Sequence, residues 1–198
     1  MIIALLFAVA GYLLGSVSSA ILVCRMLGKA DPRSTGSGNP GATNVLRTHG
    51  RGPAAATLAG DVAKGLLPVA LAQAWGFSPL VVALTGLGAF LGHLFPIFFD
   101  FRGGKGVATC IGVLFGFSPW LGLAFCAAWI ATAFVTRYSS LAALVATAVT
   151  PFAALAGGMP APMVFVLVLM ALAIFHRHRD NIARLRAGTE SRIGRKKA

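Results

Sequence analysis

The sequence predicts an all-α integral membrane protein: a seven-helix transmembrane bundle with some helices short, its N-terminus outside and its C-terminus cytoplasmic. Three observations carry that expectation. The chain of 198 residues is 57% hydrophobic and only 11% charged, with a mean hydropathy of +0.81, whereas soluble domains carry about 25% charged residues. Apolar stretches recur at seven places, and the basic residues fall in alternate connections between them.

The first stretch, at about 3–25, is apolar and ends near small residues, as a secretory signal would. A signal needs positive charge ahead of its apolar part, and here the first basic residue, Arg25, follows it, so a retained spanning helix is expected. Further stretches occupy about 54–74, 79–98, 106–117, 119–136, 139–156 and 160–176. A spanning helix takes about 20 residues, so the fourth and fifth, split by "SPW", are either a short pair or one bent helix. Charge decides for the pair. Counted as seven helices, they place Arg25, Lys29, Arg33, Arg47 and Arg51 in the first connection, Arg102 and Lys105 in the third, Arg137 in the fifth and eight Lys/Arg in the tail. The even-numbered connections hold none. Sixteen of the seventeen Lys/Arg therefore share one face, and the positive-inside rule makes it the cytoplasmic one.

Gly11, Gly15 and Ser19 recur every four positions, as do Gly88 and Gly92, a spacing that lets helix backbones approach closely. Cys24, Cys110 and Cys126 all lie in apolar runs, which argues against a disulfide framework, and no Cys/His cluster suggests a metal. The net charge of +12 follows from the topology signal; nucleic acid is not an expected partner, whereas membrane lipids are.

Three polar clusters lie on the basic side. In "GSGNPGATNVLR" (36–47), three glycines free the backbone N–H groups to meet an anion, Ser37, Asn39, Thr43 and Asn44 supply neutral hydrogen bonds, and Arg47 a charged fork. That combination suits phosphate; an ordinary turn-rich connector is the plainer alternative. In "FRGGKGVAT" (101–109), glycines and Lys105 precede a helix start, where unpaired N–H groups and the helix dipole favour negative charge. It is not a nucleotide-binding P-loop, because Gly106 stands where the magnesium-binding hydroxyl would be. In "HRDNIARLRAGTE" (178–190), a continuing helix would put His178, Asn181 and Arg184 or Leu185 on one face. A basic helix lying on anionic lipid is the alternative there. Within the membrane, Asp61 and Lys64 read as a mutually neutralising pair, and His93 as a hydrogen-bonded brace for the loop that follows it.

Together "GSGNPGATNVLR" (36–47), "GHLFPIFFDFRGGKGVAT" (92–109) and "HRDNIARLRAGTE" (178–190) resemble, in order and approximate spacing, the signature blocks of the bacterial acyl-phosphate-dependent glycerol-3-phosphate acyltransferases, the PlsY family. The resemblance covers the whole chain, 1–198, as one transmembrane acyltransferase domain. It implies transfer of a fatty acyl group from acyl phosphate to the 1-hydroxyl of sn-glycerol 3-phosphate, giving lysophosphatidic acid and inorganic phosphate, at the cytoplasmic side of the bacterial inner membrane. No cofactor and no metal are implied. By resemblance, Ser37, Arg47, Lys105, His178 and Asn181 are the expected catalytic residues. Gly38, Asn39, Thr43, Asn44, Gly103, Gly104, Gly106 and Ser140 are expected to bind substrate.

The expected division of labour gives the acyl-phosphate leaving group to Lys105 and the glycine loop, and glycerol phosphate to Arg47, His178 and Asn181, with Ser37 and Ser140 assisting. No obvious carboxylate base is seen in the sequence, so the proton falls to His178 or to a substrate phosphate oxygen. The rival class is a small membrane carrier for organic phosphates, whose site should instead lie near the midplane.

Overall fold

The computed structural model describes residues 1–194 and is all-helical across them. The last three of the tail's basic residues, Arg195, Lys196 and Lys197, lie outside the described residues. The first apolar stretch forms α1 (Ile2–Gly15) and α2 (Ser19–Met26), which together make one 25-residue span. Then come α3 (Ala42–His49), α4 (Arg51–Ala74) and α5 (Pro79–Leu94). After a 3₁₀ turn, Ile97–Phe99, follow α6 (Val107–Phe117), α7 (Pro119–Thr136), α8 (Ser139–Ala156), α9 (Ala161–Arg177) and α10 (Arg179–Arg186).

All seven apolar stretches are thus helical, but they differ in reach. Five segments are long and apolar enough to cross a membrane, and α9 with α10 makes a sixth that bends by 58°. At 11 residues, α6 is only about 16 Å long, roughly half of a hydrocarbon core. Between α6 and α7 the chain passes through extended Ser118 into Pro119 at the first helical position. The two helices pack against each other, so "SPW" separates a short pair rather than bending one helix.

Close approach explains the small-residue stripes. A methyl at Gly11 or Gly15 would overlap the backbone of Thr85 or Ala89 on α5, and one at Gly88 or Gly92 would strike Ala8 or Tyr12 on α1. The two stripes are therefore a single seam. Ser19 does not belong to it: its hydroxyl faces Gly60 of α4. A second seam, between α4 and α6, is equally tight at Gly65 and Gly112. The core joins these helices through Phe90, Leu94, Leu114, Phe117, Phe125, Met170 and Ile174, while large apolar side chains such as Phe134 and Phe152 point outward, as lipid contact requires.

Candidate active site

The first polar cluster is organised by the side chains of Asn44 and Arg33. Asn44 accepts the Ser37 N–H through Oδ1 (2.9 Å) and donates through Nδ2 to the Pro32 and Thr35 carbonyls (2.9 and 3.0 Å), which leaves its buried amide fully committed to the loop. Its sequence-expected role in shaping a phosphate cradle is thereby indirect. Arg33 grips Asp31 with two guanidinium nitrogens, the shorter contact being 2.9 Å, and donates to the Phe99 carbonyl, fastening this loop to the turn before the second cluster. Gly36 and Gly38 take left-handed backbone, and a side chain at Gly36 would collide with the Asn44 amide.

The second cluster hangs on α5. The Gly104 N–H donates to the His93 carbonyl (3.2 Å), while the guanidinium of Arg177 donates to the carbonyls of Gly103 (2.7 Å) and Gly104 (3.1 Å). Each glycine is there because something lies against it. A methyl at Gly103 would overlap the His93 carbonyl, one at Gly104 the His93 ring, and one at left-handed Gly106 the Phe90 ring. His93 does brace the loop, through its main chain and ring face rather than through a ring hydrogen bond. Its Nδ1 stands 3.6 Å from Asp61 Oδ1, and the same carboxylate oxygen meets Lys64 Nζ at 2.8 Å. That nitrogen also donates to the Val17 carbonyl (2.8 Å). The expected Asp61–Lys64 pair is therefore a buried three-residue cluster tying α4 to both α2's approach and α5.

In the third cluster the helix does not run on. It breaks at His178, where α9 gives way to α10, and the bend turns His178 and Asn181 inward. His178 Nδ1 lies 2.8 Å from the Ile174 carbonyl. A carbonyl only accepts, so Nδ1 carries the proton and Nε2 keeps its lone pair. Burial, then the nearby Lys105 charge, lowers the His178 pKa to about 4, so the ring is neutral near pH 7. Lys105 Nζ donates to the Asn181 side-chain carbonyl. Burial first and the neighbouring Arg184 next lower the Lys105 pKa to about 8.

One carboxylate in this site had no role in the sequence-based expectation. Glu190, the chain's only glutamate, is buried and accepts from Ser140 Oγ (2.8 Å), Asn181 Nδ2 (2.7 Å) and Arg184 Nε (2.7 Å). Burial alone would push its carboxyl up, but those three donors outweigh it and hold the group below the usual range. Ionised and saturated with donors, Glu190 orients Ser140 and Asn181. Arg177 was likewise visible only as a tail charge, because its partners stand on another element; Arg184 was expected on a face with His178 and Asn181, but its bond to Glu190 was not.

These groups enclose a cavity of about 610 Å³. Ser37, Asn39, Thr43, Asn44 and Arg47 line it from the first cluster, Lys105 and Gly106 from the second, and Ser140, His178 and Asn181 from α8 and the bend. Apolar or weakly polar side chains complete the lining, among them Leu58, Ile111, Cys126, Trp129 and Ile130. Gly38 and Gly103 line a smaller polar cavity of about 200 Å³ that shares Ser37, Asn39 and Lys105 with the first. Gly104 touches neither and lies behind them, beneath His93. A lysine and an arginine in a cavity that also carries apolar side chains can hold a phosphate attached to a long alkyl chain.

Comparison with known proteins decides the family. Residues 5–188 match the glycerol-3-phosphate acyltransferase family. This chain belongs to that family. A glycerol-3-phosphate acyltransferase of Thioalkalivibrio sulfidiphilus is 53% identical over 99% of this chain and 97% of its own. One from Ralstonia nicotianae is 53% identical over 96% and 94%. Among solved structures, the chain is similar to a crystal structure of PlsY, an integral membrane glycerol 3-phosphate acyltransferase, in its glycerol 3-phosphate form. The TM-score is 0.92, with 38% identity over 96% of both chains. The lysophosphatidic acid form of PlsY gives a TM-score of 0.90 at 38% identity over 96% of this chain and 95% of that one. Family membership therefore rests on nearly the full length of the chain.

Proposed function

We propose that the chain transfers a fatty acyl group from acyl phosphate to the 1-hydroxyl of sn-glycerol 3-phosphate, at the cytoplasmic face of the bacterial inner membrane. The observation that carries this reading is the mixed lining of the cavity, which joins Arg47, Lys105, His178 and Asn181 to apolar Leu58, Trp129 and Ile130. A phosphate dianion and an alkyl chain each find matching side chains. Sixteen of seventeen Lys/Arg in alternate connections support the assignment of the cationic groups to the cytoplasm and of the N-terminus to the outside.

In the proposed step the glycerol hydroxyl oxygen attacks the acyl carbonyl carbon, a new ester C–O bond forms, and the mixed-anhydride C–O bond breaks with its electron pair going to phosphate. Lys105 and the glycine-loop N–H groups stabilise the charge on that leaving group. Arg47 binds the glycerol phosphate, while the His178 Nε2 lone pair and the Asn181 amide orient the hydroxyl. The hydroxyl proton ends on the released phosphate. A ring that titrates at about 4 is a weak base, so His178 directs that proton rather than keeping it. Ser37 and Ser140 hold substrate by hydrogen bonds, and an activated donor makes an acyl-serine unnecessary. Assay of purified protein with glycerol 3-phosphate and, in turn, acyl phosphate, acyl-CoA and acyl carrier protein tests the reading; lysophosphatidic acid forming only from a thioester donor would refute it.

A further inference from the structure

Arg177 ends α9, one residue before the bend, and the roles proposed above leave it unused. Its guanidinium donates from Nη2 to the Gly103 carbonyl and from Nε to the Gly104 carbonyl. In a trans peptide the N–H points opposite to the C=O. The peptide joining Gly103 to Gly104 is thus held at both ends, its oxygen by Arg177 and its N–H by the His93 carbonyl. The next peptide is held at its oxygen alone. Its N–H, that of Lys105, is turned away from Arg177 and has no hydrogen-bond partner among the described residues. Two planar contacts of this kind need a fork; a single ammonium cannot make both with the same spacing.

We infer that Arg177 is a positioning residue. It sets the orientation of the Gly103 and Gly104 peptides so that the main-chain N–H and the ammonium of Lys105 serve the same anion. It also fastens that loop to the bend carrying His178 and Asn181, so the leaving-group side and the hydroxyl side of the cavity keep a fixed spacing. The inference rests on the acyltransferase reading for the identity of the anion. Its own content is that the fork matters and the charge alone does not, although Arg177 also borders the smaller polar cavity, where a cation attracts phosphate without orienting anything.

Arg177→Lys and Arg177→Gln separate the two possibilities. Inorganic phosphate, the expected product inhibitor, is the probe. Both variants should weaken phosphate inhibition and lower kcat by roughly tenfold or more, with the melting temperature in detergent close to the parent's. A lysine variant that behaves like the parent while the glutamine variant fails would reduce Arg177 to a point charge and overturn the inference, as would two silent variants. Loss of the melting transition in both would assign the guanidinium to stability and overturn it too. Free guanidinium ion added to Arg177→Ala should restore turnover where ammonium ion does not; equal recovery with ammonium contradicts the fork. If the parent protein makes no lysophosphatidic acid, the acyltransferase reading fails by itself, and calorimetric titration of phosphate into the same proteins still decides the role of Arg177.

Discussion

With the role proposed for it, Lys105 is where pH enters the chemistry. Its amine is charged below about 8, and a phosphate monoester is a dianion above about pH 6. The expected profile of kcat/KM therefore has a plateau between these limbs, the alkaline one belonging to the free enzyme. The sign is fixed by the direction of the shift: a lowered lysine pKa brings loss of the cation, and of the phosphate binding proposed for it, nearer to neutrality. Lys105→Arg should move the alkaline limb beyond reach while keeping activity measurable, and Lys105→Ala should cost at least about 100-fold in kcat. Initial rates across pH 5–10 check both. Glu190→Gln is the second residue-scale case. Glutamine offers one acceptor and a donor where Ser140, Asn181 and Arg184 all donate, so a mismatch worth about 1–3 kcal/mol follows, read as a lower melting temperature together with lower kcat. The sequence placed this carboxylate only in the tail. Nothing local could say that it meets Ser140, fifty positions away, because a long-range hydrogen bond has no spacing signature.

Among the elements, the glycine loop before α6 was the most legible and α9–α10 the least. Glycines ahead of an apolar run, with one lysine, announce a helix start that favours anions, and the structure supplies the reason for each glycine in the His93 carbonyl, the His93 ring and the Phe90 ring. Gly104→Ala should consequently displace the loop from His93, costing about 1–3 kcal/mol in overpacking and raising the KM for the phosphate-bearing substrates, which steady-state kinetics will show. The bend at His178 was not legible. Periodicity alone continues a helix through 178–186, whereas the chain turns by 58° there and Asn181 meets Lys105 and Glu190, partners that no local spacing announces. The small-residue stripes were readable as packing signals, yet which helix each one met was not, since spacing reports a face and never its partner.

At the scale of the whole molecule, charge that stays inside the membrane must be neutralised by neighbours, and Asp61, Lys64 and His93 do this from two spans at once. Asp61→Asn should destabilise the fold by about 3 kcal/mol by leaving the buried lysine without its counter-ion. Replacing Lys64 with Met in the same chain should recover part of that loss, as thermal unfolding in detergent will measure. Seven helical stretches were readable from hydropathy because lipid demands apolar exteriors, and so was the shortness of α6, bounded by the glycine loop and "SPW"; its close packing on α4, where Gly65 and Gly112 bring two backbones together, was not. The indole at position 129 offers a way to watch this architecture at work. Trp129 lines the cavity, whereas Trp75 is largely exposed beside Phe7 and Phe77. With Trp75 and Trp120 changed to Phe, its fluorescence becomes a private reporter: a donor brominated along its alkyl tail should dim it on entry, and light would then time the arrival of the chain before any bond is made.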